Sequence, residues 1–259
     1  MHRPRQIDYD AVAAGYDSQP YRARSVDREF VAFLAGRSPG ADVAVLDLGC
    51  GTGNQLVANR AAASIATMVG ADRSLGMLRQ ARGKAREIAW VQADAAALPF
   101  AAGSFDFVGS QFMFHHVPDK ESMLAEMLRV LRPGGQFVMR NLCPQESPDW
   151  SYYAYFPEAQ VVDLSDFWPA DAIAARMRAI GFAAVEIEYE HLRFDINLAE
   201  WAVIARCRDT CSQLQAISDA AYEAGLHRLR RDAADPALPK TRPDHLCMLT
   251  VRGDRGGAA

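Results

Sequence analysis

Three carboxylates, a glycine run and a histidine pair have the types and spacing to do chemistry in this sequence. In Val45–Leu46–Asp47–Leu48–Gly49–Cys50–Gly51–Thr52–Gly53–Asn54, an apolar run feeds three glycines at alternate positions. A turn of that composition lets backbone approach a ligand with no side chain in the way. The spacing differs from the G-x-G-x-x-G of dinucleotide folds, which aims a helix N-terminus at a pyrophosphate. Asp47, just before the loop, would repel a pyrophosphate and attract a cationic or amine-bearing ligand. Asp72 ends the next apolar run, where an acid can accept from both hydroxyls of an adenosine ribose. Asp94 ends the run after that and can accept from an exocyclic adenine N–H. His115 and His116 have an unperturbed pKa of about 6.5, suited to proton abstraction near neutrality. The same pair could instead only shape its loop. Without a neighbouring acid it completes no ligand set, so no metal is expected.

These residues need a frame that puts strand ends side by side. Val43–Leu48, Ile65–Ala71, Ile88–Gln92, Phe105–Ser110, Gln136–Arg140, Ala183–Tyr189 and Cys247–Arg252 read as strands. Helical spacing occupies 26–36, 54–62, 74–86, 119–131 and 169–180, with Asp119 as an expected N-cap and Gly181 as a stop. Alternation of this kind predicts an α/β fold, an open sheet with helices on both faces. Residues 198–232 interrupt it as two expected helices, 198–208 and 212–231. The stretch 141–168 carries Trp150, Tyr152, Tyr153, Tyr155, Phe156, Phe167 and Trp168. It could line an apolar acceptor pocket, cover a sheet edge or make a dimer contact. Arginines of 198–232 read as a solvated face.

Composition narrows the function. The chain has 259 residues, is 50% hydrophobic and 23% charged, and carries a net charge of −4. That is an ordinary globular balance, and it argues against a general grip on nucleic acid. Five cysteines, with no CxxC pair, argue against a disulfide scaffold or structural zinc. Cys207 and Cys211 are one helical turn apart, a spacing that invites metalloid chemistry, but half-buried packing is the better reading. No signal peptide or 18-residue apolar run is visible, so no membrane span and a reducing cytoplasmic setting are expected.

Four stretches together resemble class I S-adenosylmethionine-dependent methyltransferases, in the small-molecule branch that includes the ubiquinone and menaquinone methyltransferases. They are VLDLGCGTGN (45–54), VGADRSLGMLRQAR (69–82), QADAAALPFAAGSFDFV (92–108) and MLAEMLRVLRPGGQFVM (123–139). The resemblance covers roughly residues 8–190 and the last strand. It implies a Rossmann-like, doubly wound seven-stranded sheet with the last strand antiparallel. It implies one methyltransferase domain over 1–259, with 1–25 as a helical lid, 141–168 as a substrate-side connection and 198–232 as a helical insertion. The cofactor would be S-adenosyl-L-methionine, the product S-adenosyl-L-homocysteine. By resemblance Asp47 supports the loop and the methionine amino group, and Gly49, Gly51 and Gly53 lie under the cofactor. Asp72 would hold the ribose, with Arg73 beside the adenine and Asp94 with Ala95 as its clamp. Gln111 would offer a backbone carbonyl to the methionine end, and Tyr9 and Tyr16 would belong to the lid. His115 and His116 stand as candidate bases for a small organic acceptor. The enzyme is expected as a monomer or homodimer with no nucleic-acid or membrane partner. A tRNA or protein methyltransferase is disfavoured by the charge and by Ser110–Gln111–Phe112–Met113 in place of Asn-Pro-Pro-aromatic. A nicotinamide dehydrogenase is disfavoured by the loop spacing. A protein that binds the cofactor without turnover stays open.

Overall fold

The computed structural model describes residues 7–38, 41–62, 65 and 67–257. The chain opens with α1 (Tyr9–Val12), 3-10 turns at Ala13–Ser18 and Pro20–Arg22, and α2 (Arg28–Ala35). Asp27 caps α2 by accepting from the Glu29 amide. Then follow β1 (Ala44–Leu48), α3 (Asn54–Ala62), β2 (Thr67–Asp72), α4 (Leu75–Lys84), β3 (Ala89–Gln92) and β4 (Phe105–Gln111). After α5 (Lys120–Val130) comes β5 (Leu131–Leu142). Asp119 caps α5 through the Ser122 amide, as its sequence position predicts.

The strands form one seven-stranded sheet in the order β3-β2-β1-β4-β5-β7-β6, where β6 is Phe182–Asn197 and β7 is Thr241–Arg255. The last strand runs antiparallel to its neighbours, and helices cover both sides. Every residue of β1 is buried, as a strand covered on both faces requires. β1 pairs in parallel with β2 through Asp47↔Gly70 and with β4 through Asp47↔Gly109. The order turns back at β1 and β4, so the crevice between their carboxyl ends is the switch point where such sheets bind ligands.

The chain divides into two compact units. The first holds Tyr9–Asn141, Ala170–Glu188 and the residues from Thr250 onward. Its core includes Phe30, Val45, Leu56, Leu78, Trp90 and Phe107. The helix α8 (Ala170–Ile180) belongs to it and ends at Gly181, whose φ is +119°. Arg252 on β7 pairs with Glu29 (2.5 Å) and with Glu188, which ties the last strand to α2 and β6.

The second unit is built from Leu142–Pro169 and Tyr189–Leu249. It contains α6 (Ser151–Tyr155), α7 (Pro157–Asp166), α9 (Leu198–Ala205), α10 (Ser212–Ala216) and α11 (Asp219–Ala234). Two corrections concern it. The aromatic stretch, for which the sequence assigned no elements, forms the helices α6 and α7. The two helices expected in 198–232 are three, with a 3-10 turn at Arg208–Thr210 between α9 and α10. Cys207 and Cys211 flank that turn instead of sharing a helix, and Cys207 is exposed. Trp150, Tyr153, Tyr155 and Phe156 pack with Trp201, Leu214, Tyr222 and Leu226. Phe156 stacks on Tyr222 at 6.3 Å, and Ser218 caps α11 while its own amide and hydroxyl bond to Glu158. The aromatic stretch and the helical insertion, far apart in sequence, thus fill one core.

Trp90 explains one glycine of the loop. Gly53 has φ +80°, and a Cβ there would lie 2.5 Å from Trp90 Cη2. Gly53→Ala is expected to cost about 2–5 kcal/mol of unfolding free energy, from overpacking added to left-handed strain. Urea unfolding of the two proteins measures it, and a loss below about 1 kcal/mol would contradict this packing.

Candidate active site

Parallel pairing places the ends of β1, β2, β3 and β4 along one edge of the first unit. The glycine loop leaves β1 there, and both Gly49 and Cys50 amides donate to Ala71 O at 2.8 and 3.1 Å. A Cβ on Gly49 (φ +71°) would lie 2.4 Å from Met113 Cγ, so the loops after β1 and β4 touch. Gly51 (φ +53°) differs from its neighbours, because nothing lies within 4 Å of where its Cβ would be. Left-handed glycine facing open space is what a ligand cradle needs.

Asp72 has two tasks. Its Oδ2 accepts from the Gly51 amide and its Oδ1 from the Ser74 amide, each at 2.8 Å. The plain N-cap alternative goes to Ser74, whose hydroxyl accepts from Met77 N at 3.1 Å. Gln92 donates to Arg73 O at 3.0 Å, joining the ends of β2 and β3. Asp94 is exposed, with Oδ1 accepting from the Ala96 amide at 2.9 Å, and Ala95 beside it is half-buried.

Asp47 is the least comfortable group. It is buried, and its Oδ2 has no hydrogen-bond partner. Burial first, then repulsion from Asp27 and Asp72, push its pKa up to about 7, while Arg24 pulls the other way. The Arg24 guanidinium is itself held below its usual range, chiefly by burial. Gln111 uses its side chain to donate to Asp27 Oδ2 at 2.9 Å. Phe112, which follows, has φ +55°, a costly conformation for a bulky residue.

The amino-terminal segment docks on this edge. Asp10 accepts from Ser74 Oγ (2.7 Å) and the Gly76 amide (2.5 Å) at the start of α4. Asp17 accepts from Thr52 Oγ1 (2.7 Å) and Asn54 (2.8 Å), and pairs with Lys84 at 2.5 Å. Tyr16 accepts from Arg22 at 2.6 Å, with that guanidinium 4.0 Å from its ring centre. Sequence reasoning named the tyrosines and missed Asp10, Asp17, Arg22 and Arg24. Their density in Asp10–Arg24 is a signal, but charges at a chain start usually mean solvation.

His115 and His116 lie on a 3-10 turn (Phe114–His116) after β4, with ring centres 3.8 Å apart. His115 Nδ1 is 3.2 Å from Asn141 Nδ2. His116 Nε2 is 2.7 Å from the Tyr9 hydroxyl. Burial, then nearby positive charge, holds His115 well below the usual imidazole range and His116 at about 4. Both are neutral at pH 7. Among the described residues no group of three metal-ligating side chains occurs.

The description "Methyltransferase domain" matches residues 46–139, which run from β1 into β5. The chain is 34% identical over 179 residues to a demethylmenaquinone methyltransferase of Thermus thermophilus, covering 59% of this chain and 78% of the relative. It is 32% identical to a demethylmenaquinone methyltransferase of Clavibacter sepedonicus, covering 71% and 85%. The chain belongs to the class I S-adenosylmethionine-dependent methyltransferases. The fold of phosphoethanolamine N-methyltransferase 2 from Haemonchus contortus, solved with S-adenosylhomocysteine, is similar at a TM-score of 0.60 and 19% identity, covering 95% of this chain and 57% of that one. As a member of that methyltransferase family this chain takes S-adenosylmethionine as its methyl donor. Its own residues fit that molecule: a buried carboxylate oxygen without a partner suits an ammonium, and the open face of Gly51 suits close approach.

The raised pKa of Asp47 sets a pH dependence. With a folded value near 7 against an ordinary 3.8, ionisation of Asp47 lowers the stability of the free protein as pH rises from about 4 through 7. An ammonium ligand reverses the preference, so S-adenosylhomocysteine affinity is expected to fall up to about tenfold per pH unit below 7. Asp47→Asn should flatten that profile, weaken binding and raise Tm at pH 8. Calorimetry from pH 5.5 to 7.5 checks it, and identical profiles in both proteins would refute the assignment.

Proposed function

We propose that the chain transfers the methyl group of S-adenosylmethionine to a small organic acceptor at the edge where β1 and β4 end. The carrying observation is the buried, unpartnered Asp47 Oδ2 near the end of β1, together with the open face of Gly51 in the loop that follows it. Asp47 holds the α-ammonium of the methionine end, and Arg24, which reaches the field of Asp47, holds its carboxylate. Gln111 turns a backbone carbonyl to the same end. Asp72 accepts from the ribose hydroxyls while keeping its bonds to the Gly51 and Ser74 amides, since each carboxylate oxygen has two acceptor sites. Arg73 packs near the adenine, and Asp94 with Ala95 clamps it. Gly49 and Gly53 set the loop's shape, and Gly51 lets it approach the ligand.

The sulfonium supplies an activated methyl carbon. The protein's part is alignment, which removes the entropic cost of bringing two reactants together. Residues 7–25 act as a lid, residues 1–6 of that expected segment lying outside the described residues: Asp10 and Asp17 fasten it to α4 and to the start of α3, and Tyr16 closes over the cofactor. Acceptor choice is assigned to the stretches 141–168 and 198–232, as the family resemblance implies. Relatives named for demethylmenaquinone favour an aromatic acceptor over nucleic acid, as does the net charge of −4. Among the described residues no helix is long and apolar enough to cross a membrane, and no disulfide joins the cysteines. A cytoplasmic monomer or homodimer suits this picture.

Calorimetry tests the site. Wild-type chain should bind S-adenosylhomocysteine with sub-millimolar affinity. Asp72→Ala should bind at least about tenfold more weakly and lose about 1–3 kcal/mol of stability, since two amides lose a charged acceptor. Arg24→Met should lose about tenfold in affinity. Binding of NAD with no S-adenosylhomocysteine binding would overturn the reading, and unchanged affinity in Asp72→Ala would refute the ribose assignment.

A further inference from the structure

Three helices of the second unit meet on a buried carboxyl that the site in the first unit does not use. Asp163, on α7, is 4% exposed. From α6, the Tyr153 hydroxyl donates to its Oδ2 at 2.9 Å. From α10, the side chain of Gln213, itself buried, bonds to the same carboxyl. The Cys211 thiol and the Ser212 hydroxyl donate to Gln213 Oε1 at 3.2 and 3.0 Å. With its oxygen occupied in this way, Gln213 turns its amide nitrogen to Asp163 as a donor. One carboxyl therefore joins the aromatic stretch to the helical insertion across 213 − 163 = 50 positions.

The surroundings of Asp163 disfavour its charge. The groups that face it are Tyr153 from α6, Gln213 from α10, Cys211 just before α10, and Asp166 on its own helix. Cys143, at the end of β5, faces the Tyr153 hydroxyl in turn. Among the described residues no lysine or arginine acts on this carboxyl. Glu29 of the first unit is a contrast. It is equally hidden, but Arg252 bonds to it and holds its carboxyl below the usual range. Two neutral donors replace only part of the water that a carboxylate loses on burial. Burial outweighs the bonds from Tyr153 and Gln213 and, with the charge of Asp166, pushes Asp163 up to about 7. Burial also pushes the Tyr153 hydroxyl and the Cys211 thiol up, so neither shares that titration.

We propose that Asp163 is a proton-operated pin: with its proton on, it holds α6, α7 and α10 together, and loss of that proton to water lets α7 and α10 open locally. The folded value lies above the ordinary 3.8, so the stability that Asp163 contributes is complete below about pH 4 and is lost as pH rises through 7. Opening gives the carboxylate back its water. The opening equilibrium of α7 and α10 should therefore grow by up to about tenfold per pH unit until pH 7 and level off above it. The pin does not rest on the cofactor reading, since Asp47 and the glycine loop belong to the other unit. It acts on the two stretches to which acceptor choice is assigned, and makes their order depend on pH near neutrality.

The test uses the full-length chain without ligand. Hydrogen exchange of the α7 and α10 amides, corrected for the intrinsic rate, should show wild-type protection falling by up to about tenfold per unit from pH 5 to 7 and flat from 7 to 8. Asp163→Asn keeps the shape and removes the charge, so its α7 and α10 protection should lose that slope. The β1 amides should keep their own pH dependence in this variant, because Asp47 is unchanged. Carbon NMR of the wild-type carboxyls should find Asp163 titrating at about 7. Tyr153→Phe removes a donor to the ionised form and should move that midpoint upward. The wild-type titration decides the matter even where Asp163→Asn fails to fold. An Asp163 carbon titrating at about 4, a midpoint unmoved in Tyr153→Phe, wild-type protection of α7 and α10 independent of pH, or the same slope in Asp163→Asn overturns the proposal.

Discussion

The carboxylate of Asp72 holds the site together. One oxygen takes the Gly51 amide and the other the Ser74 amide, so the turn after β1 and the turn after β2 are locked to one side chain. Everything at the edge depends on that lock. Gly51 keeps its positive φ with open space before it because its amide is satisfied from behind. Ser74 is set to cap α4, and its hydroxyl donates to Asp10, which docks the amino-terminal segment. A charged acceptor serving two amides is strong because it is fixed and partly desolvated.

Charge balance at the edge is poor in the free protein. Burial, and then the charges of Asp27 and Asp72, oppose ionisation of Asp47, while Arg24 favours it. A protein selected for stability alone would not bury Asp47 with an oxygen unpartnered. Such a group persists where a ligand of opposite charge completes it, and the donor of this family carries an ammonium and a sulfonium. Strain at Phe112 belongs to the same edge, since its backbone turns β4 toward the histidine pair. Functional sites collect these local costs, and the sheet beneath absorbs them.

The two histidines illustrate what environment does to a reactive residue. As free side chains they would titrate near 6.5 and serve as ordinary bases. Buried, and within reach of the charges of Lys120, Arg73 and Arg22, His116 resists protonation. His115 is turned instead toward Asn141 at the end of β5, which suits a loop-shaping role.

Local patterns in the chain determined the sheet unit almost completely. Apolar runs ending in Asp47 and Asp72 announced β1 and β2, Asp119 announced α5, and alternating glycines announced the turn, because each signal is a property of neighbouring residues. Strand–helix alternation also carried the expectation of an open sheet with helices on both faces, whereas the seven strands, the antiparallel last strand and the place of Gln111 came from the family resemblance. What tertiary structure alone decided is what depends on residues distant in sequence meeting. The second unit is one case: Trp150 and Phe156 find Trp201 and Tyr222 across some fifty to seventy positions, and no local period records that. The pairing of Tyr9 with His116, 107 positions apart, is another. So is the raised pKa of Asp47, which comes from burial and from two other acids brought near it by the fold. Local sequence sets backbone shape through short-range sterics and periodicity, whereas protonation, cores and catalytic partnerships are set by desolvation and through-space contact.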